Sequence, residues 1–415
     1  MGNSNAGNLT YTGIRLKEGF QMPLSEPQLR RIAGLELNAL HFTGATPGAL
    51  ERGKITSAGT SVFDINGTLL FQRIPIASGR ERIGYADVGA NEVFGEPLLA
   101  VSTGTDWDEK AILEEAGAAA RKGRRSLRFN SIRFVAYSFP KIGLQFLQDG
   151  QEALMLEWKT WTEVPPLSSE RKPMEPSNFE RWSLIDELPA KVKRANIRTY
   201  QKRQAIWDAP ALRRIDATVI TKTAFDVRGI VLKLVDTQEI HYSPRPEDHH
   251  PCYELRGQQT NVWCVAASTE MLLNFYRYQY DQPRLAQELG LGTCTLPNGL
   301  PYGQESKVVT TVEKASSNTL DATMIASPGW STFQDEIRAN RPLISFIPGH
   351  SRTVAGYTRA LITLPGQLRF KGLLVYDPWP PTDCSHPEAG GVITKWENFT
   401  TQTYTYAFTA ALKHV

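Results

Sequence analysis

A thiol, an imidazole and a carboxylate occur in the C-terminal part of the chain in an order that suits nucleophilic catalysis. Cys264 lies in GQQTNVWCVAAS (257–268). The residues after it, VAASTEMLLNFYRY, are good helix formers and place Val265, Thr269, Leu272, Leu273 and Tyr276 on one stripe. The stretch from Gly257 to Asn261 is turn-like, so Cys264 is predicted at or just inside a helix N-terminus. There the unpaired backbone N–H groups and the helix dipole favour a thiolate. A thiolate nucleophile needs a partner acid and base. His350, in RPLISFIPGHSRTVAGYTRA, is predicted to start a strand after a Pro-Gly turn. Asp377, in FKGLLVYDPWPP, falls where an apolar strand stops, with Pro378 stiffening the chain and Trp379 able to shield the pair from water. Gln258 stands six residues before Cys264, and its amide can donate to an oxyanion beside the Cys264 backbone N–H. The adjacent Gln259 is the rival for that role.

Each of these residues has a plain structural explanation. A cysteine before alanines is commonly a small buried apolar residue. A histidine after Pro-Gly is commonly a turn residue, and Asp-Pro-Trp a turn. The catalytic reading rests on joint order. That order resembles papain-like cysteine peptidases of the C39-like and plant-pathogen effector types, over about residues 250–400. Gln258 and Cys264 show the family's five-residue interval, and VWCVAAS is similar to its Cys-Trp-Ala-Ala motif, with the tryptophan before the cysteine and Val265 after it. GHSRTVAGY matches the family's His followed by a strand ending in Gly-Tyr (Gly356-Tyr357), and VYDPWPP its strand-end carboxylate. The resemblance implies Cys264 as nucleophile, His350 as general base and acid, Asp377 as orienting carboxylate and Gln258, or Gln259, as oxyanion donor. It implies a polypeptide substrate, and neither a cofactor nor a metal. Ser351 and Arg352 are less apolar than the usual run, which suggests a more open strand.

The elements that must position these residues follow from periodicity. LSEPQLRRIAGLELNAL (24–40) reads as a helix with a Ser-Glu-Pro start. GTSVFDINGTLLFQRIPI reads as a hairpin around Asn66-Gly67. DWDEKAILEEAGAAARKG, from Asp106, reads as an amphipathic helix with acidic residues first and basic residues last. SLRFNSIRFVAYSFPKIGLQFL and QEALMLEWKTW read as strands with an Asp-Gly turn at 149–150. The expected class is α+β, with a papain-like peptidase domain at 251–415 and a separate α+β domain at 1–162. Between them, 163–205 reads as a proline- and charge-rich linker, and 206–250 as bridging strands with a hairpin-like pair near 217–240. The N-terminal region faintly resembles pro-region or inhibitory modules of bacterial papain-like peptidases. That implies a zymogen-like enzyme regulated by its own N-terminal domain, with an exposed cut region near 163–178.

Composition bounds the rest. A chain of 415 residues is long for one core. Apolar residues at 41%, charged residues at 21% and a net charge of +3 describe a folded protein with no nucleic-acid signature. RKGRR (121–125) reads as a solvated turn. No apolar run is long enough to span a membrane. No signal peptide is visible in MGNSNAGNLTYTG, which favours a cytoplasmic location. Gly2 lacks the Ser or Thr at position 6 that myristoylation wants. The four cysteines, Cys252, Cys264, Cys294 and Cys384, form no CxxC pair. DHH (248–250) before Cys252, and Asp383, Cys384 and His386, match no standard zinc spacing. Pairing of Cys294 with Cys384, both in loops, would need an oxidising compartment. Two other classes compete with peptide hydrolysis: acyl or amide transfer on the same triad, and non-catalytic binding.

Overall fold

The computed structural model describes residues 24–46, 48–56, 59–104, 107–123, 127–166, 181–225, 231–240, 255–363, 366–385 and 393–413. The expectations for Gly2, Asp106, DHH at 248–250, Cys252 and His386 lie outside the described residues. So does most of the stretch expected to be cut, 163–178.

The N-terminal part follows its local signals. α1 (Glu26–Phe42) starts at Ser25, whose backbone N–H donates to the Gln28 side chain at 2.9 Å, with a proline in the first turn. Strands β1 (Lys54–Ile55), β2 (Thr60–Asp64), β3 (Leu69–Ser78), β4 (Glu81–Gly89) and β5 (Leu98–Ser102) come next. β2 and β3 pair antiparallel around Asn66-Gly67, where Gly67 has φ +87°, a conformation a side chain would resist. Asp108 opens α2 (Glu109–Gly123) by accepting from the N–H groups of Lys110 and Ala111 at 3.0 and 3.2 Å. β6 (Ser131–Ser138), β7 (Lys141–Gln148) and β8 (Gln151–Glu157) form a meander. Asp149 and Gly150, both at positive φ, turn β7 into β8.

The stretch read as a linker ends in helices α3 (Leu184–Glu187) and α4 (Ala190–Trp207). Its charge misled the periodicity reading, because one face of α4 is buried through polar contacts. Arg203 meets Glu36 of α1 with two bonds, at 2.6 and 2.7 Å, and Trp207 donates to the same carboxylate at 2.7 Å. A paired, bidentate arginine is the form in which a guanidinium tolerates burial.

β9 (Val231–Glu239) precedes the C-terminal elements. These are α5 (Cys264–Phe275), α6 (Gln282–Leu289), α7 (Lys307–Ala315), β10 (Leu320–Ala326), α8 (Trp330–Arg338), β11 (Leu343–Ile347), β12 (His350–Thr363), β13 (Gln367–Asp377), β14 (Ile393–Asn398) and β15 (Tyr406–Leu412). β9 is not half of a hairpin near 217–240. It pairs antiparallel with residues 356–363 of β12, beside the part of β12 that pairs with β11. Gly356 makes this possible, since a Cβ there would lie 2.9 Å from the Gln238 carbonyl oxygen.

The described strands form one mixed sheet, in the order β10-β15-β11-β12-β13-β14-β5-β4-β3-β2-β6-β7-β8. β2 and β6 are parallel; the other pairs are antiparallel. The class is therefore α+β, as expected. β14 pairs with β5 (Lys395↔Ser102, Trp396↔Val101, Glu397↔Ala100), so the ladder runs unbroken from the C-terminal elements into the N-terminal ones. One apolar cluster crosses the same junction and joins Leu35 and Leu40 to Trp207, Ile362, Phe370 and Trp396. In a second cluster Trp379 packs on Trp158 at 5.3 Å.

Cys294 and Cys384 form a disulfide, with Cα atoms 6.2 Å apart and a sequence separation of 90. Closing a loop of that length restricts the unfolded chain by about 4–5 kcal/mol. Such a bond persists in oxidising compartments and is reduced in a cytosol, which runs against the cytoplasmic expectation.

Candidate active site

Cys264 is the first residue of α5. Trp263 stands at the helix N-cap, and its indole N–H donates to the Leu291 carbonyl at 2.9 Å, which anchors the start of the helix. Every residue of α5 is buried, and Ala266 and Ala267 are fully so. Small side chains after the cysteine thus let the helix pack closely on the sheet. The first N–H groups of a helix have no intrahelical acceptor, so the thiol faces unpaired donors and the positive end of the dipole.

His350 is the first residue of β12, set by the tight Pro348-Gly349 turn in which Gly349 has φ +70°. Asp377 is the last residue of β13. Their strands are neighbours, and His350 Nε2 meets Asp377 Oδ1 at 2.6 Å with both side chains buried. That contact leaves Nδ1 for the thiol, and no other described group bonds it. Burial raises the Cys264 pKa, but the hydrogen bond and charge of His350, the charge of Lys141 and the backbone of Ser351 together hold it below the usual thiol value. Burial likewise works to raise the pKa of Asp377. Lys395 first, then His350 and Arg352, outweigh this and hold the carboxyl well below the ordinary range.

Behind the histidine lies a buried charged network that sequence reasoning missed. Lys395 Nζ sits 2.7 Å from Asp377 Oδ2 and 3.7 Å from Glu397 Oε2. Arg352 binds Glu397, and the Tyr404 hydroxyl donates to the same carboxylate at 3.2 Å. The Trp379 backbone N–H donates to Asp377 Oδ1 at 3.2 Å. Ser351 and Arg352 are fully buried. The expected open strand is therefore a central one, and Arg352 is tolerated there because Glu397 on β14 neutralises it. The signal available was the period of two in ITKWEN: Lys395 and Glu397 share a face, opposite to that of Trp396.

The glutamines are placed differently from Cys264, His350 and Asp377. Gln258 is fully buried in the loop before α5, and its Nε2 donates to the Thr260 carbonyl at 2.7 Å. Its backbone N–H donates to the Pro378 carbonyl at 2.9 Å and its own carbonyl accepts from Thr382 N–H at 2.7 Å, tying the loop to the chain just beyond Asp377. Gln259 uses its backbone N–H on the Gln282 side chain at 2.9 Å. Neither glutamine lines the cavity beside Cys264 and His350.

That cavity has a volume of about 720 Å³. Leu300, Tyr302 and Glu305 line it from the stretch between α6 and α7. Trp182, Leu184 and Pro189, around α3, also line it, as does Lys141 of β7. Among the described residues, no group of three or more His, Cys, Asp or Glu is placed to hold a metal ion. Nor is any helix there long and apolar enough to cross a membrane.

Residues 251–404 match the model of the Peptidase_C39 like family. Among solved structures, the peptidase domain of Streptococcus ComA, described as a bifunctional ABC transporter involved in a quorum-sensing pathway, is 16% identical. That comparison covers 39% of this chain and 99% of the other, with a TM-score of 0.25. UfSP from C. elegans is 11% identical over 44% of this chain and 33% of its own, with a TM-score of 0.23. No curated protein matches the chain. The family match makes the segment 251–404 a papain-like, C39-type peptidase segment.

Proposed function

We propose that the protein is a cysteine peptidase that cleaves peptide bonds through a Cys264–His350–Asp377 triad and a thioester acyl-enzyme. The observation that supports this most directly is the imidazole between a buried carboxylate and a helix-start thiol. Asp377 holds the His350 ring by Nε2, so Nδ1 is the nitrogen that takes and returns the proton. The Cys264 thiolate attacks the carbonyl carbon, and the carbonyl π pair moves to oxygen. His350 protonates the departing amine, then activates water to release the acid. The Cys264 backbone N–H is one oxyanion donor. Gln258 or Gln259 is the side-chain donor expected, and since neither lines the cavity it must turn toward Cys264 to serve, Gln258 with the Nε2 N–H left beyond the one given to Thr260.

The test is a defined peptide mixture read by mass spectrometry, with and without prior iodoacetamide. Cleavage that disappears in step with alkylation of Cys264 is the expected result. Products that carry an added amine in place of water would assign acyl transfer instead. No product, with Cys264 no faster to alkylate than an ordinary thiol, would leave a binding module.

A second element of the reading is self-regulation by the N-terminal part, supported by Trp182, Leu184 and Pro189 on the cavity wall. Substrate then enters only as these residues shift. Cutting the chain at an engineered protease site within 163–178 should raise turnover several-fold. Unchanged or reduced turnover after complete cutting removes self-regulation and leaves these residues as a plain wall.

A further inference from the structure

The N-terminal part brings a cation to the thiol. Lys141 is the first residue of β7, paired in register with Ser138 of β6. It is only 5% exposed, yet it lines the same cavity as Cys264 and His350. Among the described residues its ammonium has no salt bridge and no side-chain hydrogen bond. Other buried cations in this protein do have carboxylates: Arg203 has Glu36, Arg352 has Glu397 and Lys395 has Asp377. Lys141 is largely buried and lines the cavity, so a negative charge formed there meets a cation that no described carboxylate neutralises.

The anion is close at hand. The charge of Lys141 acts on the Cys264 thiol and favours its ionised form. Tyr137 donates to Glu157 at 2.6 Å, and the Trp379 indole N–H donates to the same carboxylate at 3.3 Å. The end of the β6–β8 meander is therefore seated against the chain that carries Asp377.

We propose that Lys141 is a working residue of the site, supplied by the N-terminal part, which holds Cys264 as a thiolate and then faces the oxyanion. The step balances without a further reagent. As the sulfur–carbon bond forms, the negative charge leaves sulfur and appears on the carbonyl oxygen one bond beyond the new link. No proton is transferred in this step. Lys141 supplies a positive charge within the cavity that His350 also lines. This rests on Cys264 being the nucleophile, but its test needs no turnover. It also makes the N-terminal part a component of the reactive centre, whether or not residues 182–189 regulate entry.

The experiment is the pH dependence of iodoacetamide alkylation at Cys264, resolved by peptide mass, in the full chain and in K141M and K141R. The other titratable groups around the thiol and cavity are His350, Tyr137, Glu187, Tyr302, Glu305, Tyr404 and Tyr406, and all remain in these variants. In K141M the alkylation midpoint should rise by about one pH unit, the size of effect a single neighbouring charge has on a thiol. K141R should keep the wild-type midpoint. A K141M midpoint equal to wild type in a folded protein overturns the proposal. If K141M does not fold, the reciprocal measurement decides. In C264A the lysine loses its anion, so Lys141 should react several-fold faster with an amine-acylating reagent at fixed pH; an unchanged rate overturns the proposal. Where the protein also turns over peptide, the acid limb of the K141M activity profile should shift to higher pH by the same amount.

Discussion

Replacing Cys264 with alanine should lower peptide turnover by about 10⁴-fold or more, the scale seen when a covalent triad loses its nucleophile, and leave the fold intact. The argument is local. Cys264 clusters with Val262, Trp263 and Val265, and its sulfur meets His350 and the Ser351 backbone of β12 by thiol hydrogen bonds, which are weak. The change removes one atom, and the resulting void costs on the order of 1 kcal/mol. α5 keeps its start, because the Trp263 indole anchor and the Ala267 N–H to Trp263 carbonyl bond (3.0 Å) do not involve the thiol. Alanine is also a better helix former than cysteine. Turnover and thermal unfolding should be measured on the same sample. Retained turnover above about one per cent of wild type would remove Cys264 as nucleophile on the covalent scale used here. Lost turnover with lost structure would move the role of Cys264 to the core.

Replacing Lys395 with methionine should destabilise the protein by about 3–5 kcal/mol, the usual consequence of removing one partner from a buried ion pair. Lys395 is almost wholly buried and faces two carboxylates, at 2.7 and 3.7 Å. Without it Asp377 keeps the His350 bond, the Trp379 N–H bond and the more distant Arg352 charge. Glu397 keeps Arg352. The sign of the pH dependence follows. Asp377 has a folded pKa below its unfolded value, so its stabilising contribution is fully present above the unfolded pKa of about 3.9 and is lost as pH falls below it. K395M removes the largest influence that lowers this pKa, so its acid unfolding midpoint should move to higher pH. Adding D377N should recover part of the loss, because the amide needs no counter-charge, while turnover falls further as the imidazole loses its anion. Denaturant and acid unfolding of both variants give these quantities. K395M that unfolds like wild type at neutral and acid pH would show the network to be idle in stability.

The local signals were legible where a short stretch carries its own instructions. Ser25 and Gln28 mark the start of α1, Asn66-Gly67 turns β2 into β3, and Pro348-Gly349 delivers His350 to the first position of β12. Cys264 at a helix start and Asp377 at a strand end were readable for the same reason: each lies where a run of apolar periodicity begins or stops. α4 was not legible, because its burial runs through Arg203 and Glu36, which are 167 residues apart and read as surface charge in sequence.

By itself the sequence determined the α+β class and the elements with strong local signals, and it singled out Cys264, His350 and Asp377 as candidates, since these depend on periodicity, turn chemistry and spacing within a few residues. Tertiary structure alone decided what surrounds them. The pairing of β14 with β5, the Cys294–Cys384 bond, Lys395 behind Asp377 and Lys141 on the cavity that Cys264 also lines join segments 90 or more residues apart or, for Lys395, across a strand ladder. A charged side chain in sequence carries no mark of whether it will meet water or an opposite charge in the core. Only the packed sheet, by removing water from those positions, makes the partner obligatory.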